Sequence, residues 1–203
     1  MTLRSILFAA LLAAAAPPAV CLAQAADPAV TTIDGFNDSL LGAMKQAKSL
    51  GVQGRYKELA PAVERAFDMP TMTRFAVGPK WSSLTSQDQD ALIKAFTRLS
   101  AANYAHSFDD YDGQKFVIDP KVDTRGPDKL VRTHMVSPHD KPVEFTYRMR
   151  QAADGRWKII DVYFNSSISE LATRRSDFSS TMNSGGAPAL VKKIDVLADK
   201  QLK

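Results

Sequence analysis

Residues 142–165 read PVEFTYRMRQAADGRWKIIDVYFN, and this stretch decides the fold. In its first arm Val143, Phe145, Tyr147 and Met149 alternate with Glu144, Thr146, Arg148 and Arg150. Successive side chains of a strand point to opposite faces, so this arm is a strand with one apolar and one wet face. The loop 151–155 ends in Asp154-Gly155, a turn signal. In the second arm Lys158, Ile160, Val162 and Phe164 alternate with Trp157, Ile159, Asp161 and Tyr163. That arm is apolar on nearly both sides, which predicts a central strand covered on each face. The hairpin is then the wall on which the rest of the chain packs.

Two more strands precede it. Residues 115–119 alternate around Phe116 and Ile118, and residues 130–136 set Val131, Thr133 and Met135 against Arg132 and His134. Pro120, Gly126-Pro127 and Pro138 punctuate them. Four consecutive strands with short loops predict an antiparallel meander. After the hairpin, Ser167-Ile168-Ser169-Glu170 is a capping box opening a helix with Leu171, Phe178 and Met182. Asn183-Ser184-Gly185-Gly186 stops it, and Pro188 fits the first turn of a last helix bearing Leu190, Val191, Ile194 and Leu197.

The N-terminal half is helical. Ile33, Phe36, Leu40, Met44 and Ala47 keep helical spacing over 32–50, closed by Gly51 and Gly54. A second helix spans 55–67 with a kink at Pro61, and Asp68-Met69-Pro70 restarts a short one carrying Met72, Phe75 and Val77. Thr85 with Asp88 opens a helix with Leu92, Phe96, Leu99, Asn103 and Tyr104, ending at Ser107. Helices, then strands, then helices again define an α+β arrangement.

Residues 1–25 read as a cleaved signal peptide: Arg4 gives a positive start, residues 6–16 an apolar run, and Ala23-Gln24-Ala25 the cleavage site. A lipoprotein reading would use Cys21, but Val20 stands where a small residue is needed. Residues 26–203 then form a single domain of 178 residues without cysteine, which excludes disulfides and thiol catalysis. Its net charge falls from +4 to +3 with the loss of Arg4. The charges are interspersed, without the dense basic stripe of a nucleic-acid binder.

Reactive constellations are scarce. His106, His134 and His139 lack metal-ligand spacing, and a calcium loop begun at Asp110 would put Lys115 where glycine is required. Ser184 lacks the preceding glycine of a nucleophile elbow, and there is no phosphate-cradling glycine loop, so no cofactor is expected. Asp161 stands out among Trp157, Ile159 and Tyr163, where an unpaired carboxylate is costly. It is either a general base in a pocket or a structural acid bonded to a helix terminus or to an arginine such as Arg174. The structural role is favoured, because no acid–base partner is identifiable. The aromatic and methionine side chains either fill an ordinary core or leave it open to an apolar ligand.

The combination of Tyr111-Asp112-Gly113 before a strand, Pro142 opening the alternating strand, the run 157–162 (WKIIDV) and the helix start 167–178 (SISELATRRSDF) resembles the MlaC, or toluene-tolerance, family. Its hopanoid-associated branch, HpnM, is closest through residues 160–165 (IDVYFN). The resemblance implies an NTF2-like curved sheet wrapped by helices around an apolar cavity for lipid. It further implies a non-enzymatic periplasmic protein that ferries phospholipid or hopanoid between an outer-membrane component and an inner-membrane ABC transporter with an MCE-domain protein. The cavity walls are inferred from alternation to include Phe75, Phe96, Leu99, Tyr104, Phe145, Tyr147, Val162 and Phe164. The alternatives are a small NTF2-like isomerase or hydratase using Asp161, and a non-binding accessory protein with a filled core.

Overall fold

The computed structural model describes residues 27–165 and 168–203. The proposed signal peptide, with Arg4 and Cys21, and the expected cap residue Ser167 lie outside the described residues. The architecture is the α+β one expected. Helices α1 (Pro28–Lys45), α2 (Ala47–Ala66), α3 (Met69–Val77) and α4 (Ser86–Ser107) come first, with a 3-10 segment at Gly78–Ser83. Strands β1 (Lys115–Ile118), β2 (Asp123–Arg125), β3 (Asp128–Val136), β4 (Val143–Gln151), β5 (Trp157–Phe164) and β6 (Ile168–Ser169) follow, and α5 (Glu170–Gln201) ends the chain.

Side-chain caps fix where the helices begin. Asp27 accepts a bond from the Ala29 amide at 2.9 Å, with Pro28 just inside, so α1 starts earlier than its apolar periodicity suggests. Thr85 caps α4 through the Asp88 amide, as expected, and the short helix restarting at Asp68-Met69-Pro70 is α3, capped by Asp68 through the Thr71 amide. The cap of α5 is Ser169, whose Oγ accepts from the Ala172 amide at 2.9 Å. The first helix closes at Gln46, five residues before Gly51. Gly51 instead breaks α2 from within, at φ 58° and ψ −179°.

The sheet runs β1-β3-β4-β5-β6 and is antiparallel throughout, with β2 pairing the opening residues of β3 beyond the end of β1. The four-strand meander thus holds, extended by the short strands β2 and β6. The register corrects one reading of the second hairpin arm. Tyr147 lies opposite Val162 and Met149 opposite Ile159, so Ile160 has no partner and forms a bulge. Directly opposed residues share a face. Trp157, Ile159, Val162 and Phe164 therefore all belong to the side of Tyr147, while Lys158, Asp161 and Tyr163 share the other. The bulge thus gathers the apolar side chains on one side, and since Ile159, Ile160 and Asp161 are all buried, the middle of the arm is also covered on both faces, as expected.

Helices cover the apolar side. α1 crosses it from Thr32, which donates to the Trp157 carbonyl at 3.0 Å, to Lys45, whose ammonium lies over the Tyr111 ring. The junction of α2 and α3 shields the open edge of β5, where the Asp68 amide donates to the Ile159 carbonyl at 2.9 Å. α5 packs outside, against α4 and α3. The core is continuous from Ile33, Phe36 and Leu40 of α1 to Val131, Tyr147 and Ile159 of the sheet, all 2% exposed or less.

Candidate functional site

Between sheet and helices runs a chain of aromatic contacts. Phe67 meets Phe36 edge-on at 5.1 Å, Phe36 meets Tyr104 at 5.0 Å and Tyr147 at 6.4 Å, and Tyr104 stacks on Phe108 at 5.8 Å. Phe108 reaches Phe116 and Phe145, each at 6.3 Å, and Phe145 meets Phe164 at 5.7 Å. Each such pair contributes roughly 0.5–1.5 kcal/mol beyond the area it buries. The run is thus a cohesive apolar seam rather than a set of isolated rings.

The seam reaches the surface at both ends. At one end Phe164 is 50% exposed and sits opposite Ile168, itself 62% exposed, so the two form an open apolar lip at the sheet edge. At the other, Phe67 contributes to the wall of a groove of about 400 Å³ between α2, α3, α4 and β5. Tyr56, Met69 and Ala101 add apolar wall, and Lys94, Arg98 and Lys158 bring cations to it. Arg98 is engaged by Asp195 and Asp199, while Lys158 donates to the Glu64 carbonyl at 3.4 Å. A second groove, of about 380 Å³, lies between α1 and α2, with Phe36 of the seam in its wall.

The structure separates the residues inferred from alternation. Tyr104, Phe145, Tyr147 and Phe164 belong to the aromatic seam, and Val162 lies opposite Tyr147 on the same face. Phe96 sits between helices instead, edge-on to Phe178 of α5 at 5.6 Å, and Leu99 is buried on the same helix. Phe75 is 36% exposed on α3 under the Arg74 guanidinium. Sequence reading passed over Phe67 and Phe108 because they cap the C-termini of α2 and α4, beyond the periodic stripe. Phe36 showed only as part of a helix stripe.

Tyr104 is half-buried, and its hydroxyl is pushed well above its ordinary pKa, first by burial and then by Tyr147 and Glu170. Burial also pushes the Tyr147 hydroxyl up. Both phenols therefore remain neutral at physiological pH.

The wet face of the sheet holds ion pairs. Asp128, 1% exposed, accepts from Arg148 Nε at 2.6 Å and from Arg150 Nε at 2.5 Å. Burial alone would raise its pKa, but the Arg150 and Arg148 hydrogen bonds outweigh it and hold the carboxyl below its ordinary value. Asp161 is fully engaged as well: Oδ1 accepts from the Val162 and Leu171 amides, and Oδ2 from the Ser169 hydroxyl at 2.7 Å. It holds the start of α5 in place. Arg174 pairs with Glu170 and Asp177 rather than with Asp161. His134 faces Asp119 and His139 faces Asp112, while Ser184 donates to the Ser180 carbonyl within α5. Among the described residues no group of His, Cys, Asp or Glu is arranged to hold a metal ion, and no helix is long and apolar enough to cross a membrane.

An antiparallel sheet with one charged face and one aromatic face closed by helices defines a class of α+β folds with an apolar interior. A phospholipid-binding protein from Ralstonia solanacearum, solved in complex with a phospholipid, has the same fold: TM-score 0.72, 21% identity, 87% of this chain and 97% of that one covered. No curated protein matches the chain. The family profile described as MlaC protein matches residues 35–195, and the chain belongs to the MlaC family.

Proposed function

We propose that this protein is a periplasmic lipid-binding shuttle that carries a phospholipid or a hopanoid between the outer and inner membranes. In this reading the cargo sits in the seam between sheet and helices, and it enters at the lip of Phe164 and Ile168. One observation carries the reading: an unbroken aromatic run leads from the buried ring of Tyr147 to an exposed apolar edge. Family membership and the lipid complex of the Ralstonia relative support it.

The energetics suit a carrier. Each methylene moved from water into an apolar site contributes about 0.8 kcal/mol, so a pair of acyl chains is held firmly without any chemical step. Delivery requires docking partners, and an inner-membrane ABC transporter with an MCE-domain protein and an outer-membrane component are proposed for that role. Secretion through cleavage after residue 25 would place the mature chain in that compartment. The hopanoid-associated branch is proposed on residues 160–165.

Protein purified from the cells that make it is expected to carry stoichiometric lipid. Organic extraction followed by mass spectrometry checks this and identifies the cargo. An extract free of lipid from well-folded protein would overturn the shuttle reading and favour a filled accessory protein.

A further inference from the structure

Phe75 does not face the seam. It stands 36% exposed on α3, with the Arg74 guanidinium 5.2 Å from the centre of its ring. Two more cations gather where α3 ends against α5. Gly78 caps α3, and a Cβ built on it would meet Arg175 Nε at 3.2 Å, so the Arg175 guanidinium rests on the helix end. Lys80, two residues further on, donates to the Met182 carbonyl of α5 at 3.4 Å. Among the described residues no carboxylate pairs with Arg74, Lys80 or Arg175, because Glu170 and Asp177, the nearest acids along α5, are turned to Arg174 instead.

A cation in the last turn of α3 favours the helix dipole, which accounts for Arg74. It does not account for an exposed phenyl ring beside three cations that have no counter-charge. None of the four residues lines either groove, so they do not enclose a small ligand. An extended anionic surface answers both features at once. Aromatic rings settle among headgroups at the boundary of a bilayer, and lysine and arginine are drawn to its anionic lipids.

We infer that this corner of the molecule, Phe75 with Arg74, Lys80 and Arg175, docks on the surface of an anionic lipid bilayer. The inference rests on the lipid-carrier reading and adds to it where the carrier touches a membrane. The corner also lies close to the lip. Ile168 belongs to β6, which leads directly into α5, and Arg175 stands five residues into that helix, about 8 Å along its axis. Docking there brings the open apolar edge near the lipid surface.

Cosedimentation of the purified protein with vesicles tests it, using phosphatidylcholine alone or mixed with phosphatidylglycerol. Binding is expected only to the anionic vesicles and is expected to fall steeply as salt rises. Arg175→Gln is expected to weaken it about fivefold, and Arg74→Gln, Lys80→Gln and Arg175→Gln together about a hundredfold, at a cost of about a factor of five per cation. Phe75→Ser should weaken it several-fold while leaving the salt dependence in place. Lys57→Gln, Lys141→Gln and Lys203→Gln together remove the same net charge elsewhere and are expected to change little. Equal losses from the two triple variants, both with a native Tm, would show that overall charge alone is responsible and overturn the inference. A native protein that carries extractable lipid but ignores anionic vesicles overturns the docking surface and leaves the carrier reading standing. Salt-sensitive vesicle binding by a protein free of lipid would uphold the docking surface and overturn the carrier.

Discussion

Single residues divide here between those that hold the fold and those that face the seam, and Asp161 shows how far sequence reaches. Its setting on an apolar strand marked it as a carboxylate in need of partners, and a helix terminus was one of the partners foreseen. What pairing cannot be read from spacing is that the Leu171 amide and the Ser169 hydroxyl would supply it, since that depends on β6 folding back beside β5. Asp161→Ala is expected to cost about 2–3 kcal/mol, because two backbone amides and a hydroxyl lose a charged acceptor. That corresponds to a Tm lower by roughly 5–10 °C in a chain of this size. Lipid recovered from the purified variant should be unchanged, whereas a catalytic role would leave stability intact and abolish a turnover. Asp128 carries the pH dependence. Its carboxyl is held below its ordinary pKa by Arg150 and Arg148 in the folded state, so its contribution to stability is present above the ordinary carboxylate range. It is lost as pH falls below about 4 and through the lowered value. Asp27, lowered against its own burial by Lys129 and the Ala29 amide, adds to the same acid limb. Urea midpoints measured at pH 7 and pH 3.5 should differ markedly in the native protein and less in Asp128→Asn. Equal slopes in the two proteins would show that another group controls the acid limb.

At the scale of elements the sequence was most legible where chemistry is local. The caps of α3 and α4, the Gly155 turn and the alternation of β4 all stand where their residue types put them. The bulge at Ile160 was not legible, because an extra residue leaves the strand propensity untouched and changes only which face follows. Strand β6 was invisible for a related reason: two residues carry no period. Breaks inside helices follow a different logic. Gly51 and Gly186 both combine positive φ with extended ψ, a region that residues with a Cβ avoid. A Cβ added at Gly51 would meet nothing within 4 Å, so substitution there isolates the backbone cost from any clash. Gly51→Ala is expected to lower stability by about 1–3 kcal/mol, read from the urea midpoint with an unchanged slope. A neutral result would mean that the two parts of α2 on either side of Gly51 tolerate a straighter join than the fold displays. Phe96 makes the contrasting case, since it was inferred as cavity wall but lies edge-on to Phe178 between α4 and α5. Phe96→Ala should cost about 3–5 kcal/mol through the void it leaves.

The whole molecule is asymmetric in the way the proposed carrier role requires. One face of the sheet is a lattice of partly exposed arginines over buried Asp128 and Asp161, and the other is an aromatic wall, closed by helices, that reaches the surface at Phe164. Lateral position within the seam was only partly readable from sequence, because ring-to-ring contact joins residues from α1, α4 and three strands that no single periodicity relates. The exposed lip offers the sharpest test of the molecule as a unit. Phe164 and Ile168 are half or more exposed, so replacing both with serine costs only the buried half of Phe164 and its ring contact with Phe145, about 1–3 kcal/mol in total. If lipid enters here, as proposed, their removal deprives an incoming hydrocarbon of its first dry contact. Phe164→Ser with Ile168→Ser is therefore expected to remain folded, with a Tm lower by no more than about 10 °C, while taking up lipid several-fold more slowly from vesicles of phosphatidylethanolamine and phosphatidylglycerol, followed by the lipid content of re-isolated protein. Because the lip acts on entry rather than on the filled seam, the variant should approach native loading at long times. Native uptake rates in a variant that folds normally would place the entrance elsewhere on the molecule, with the cationic groove beside Phe67 the next edge to test.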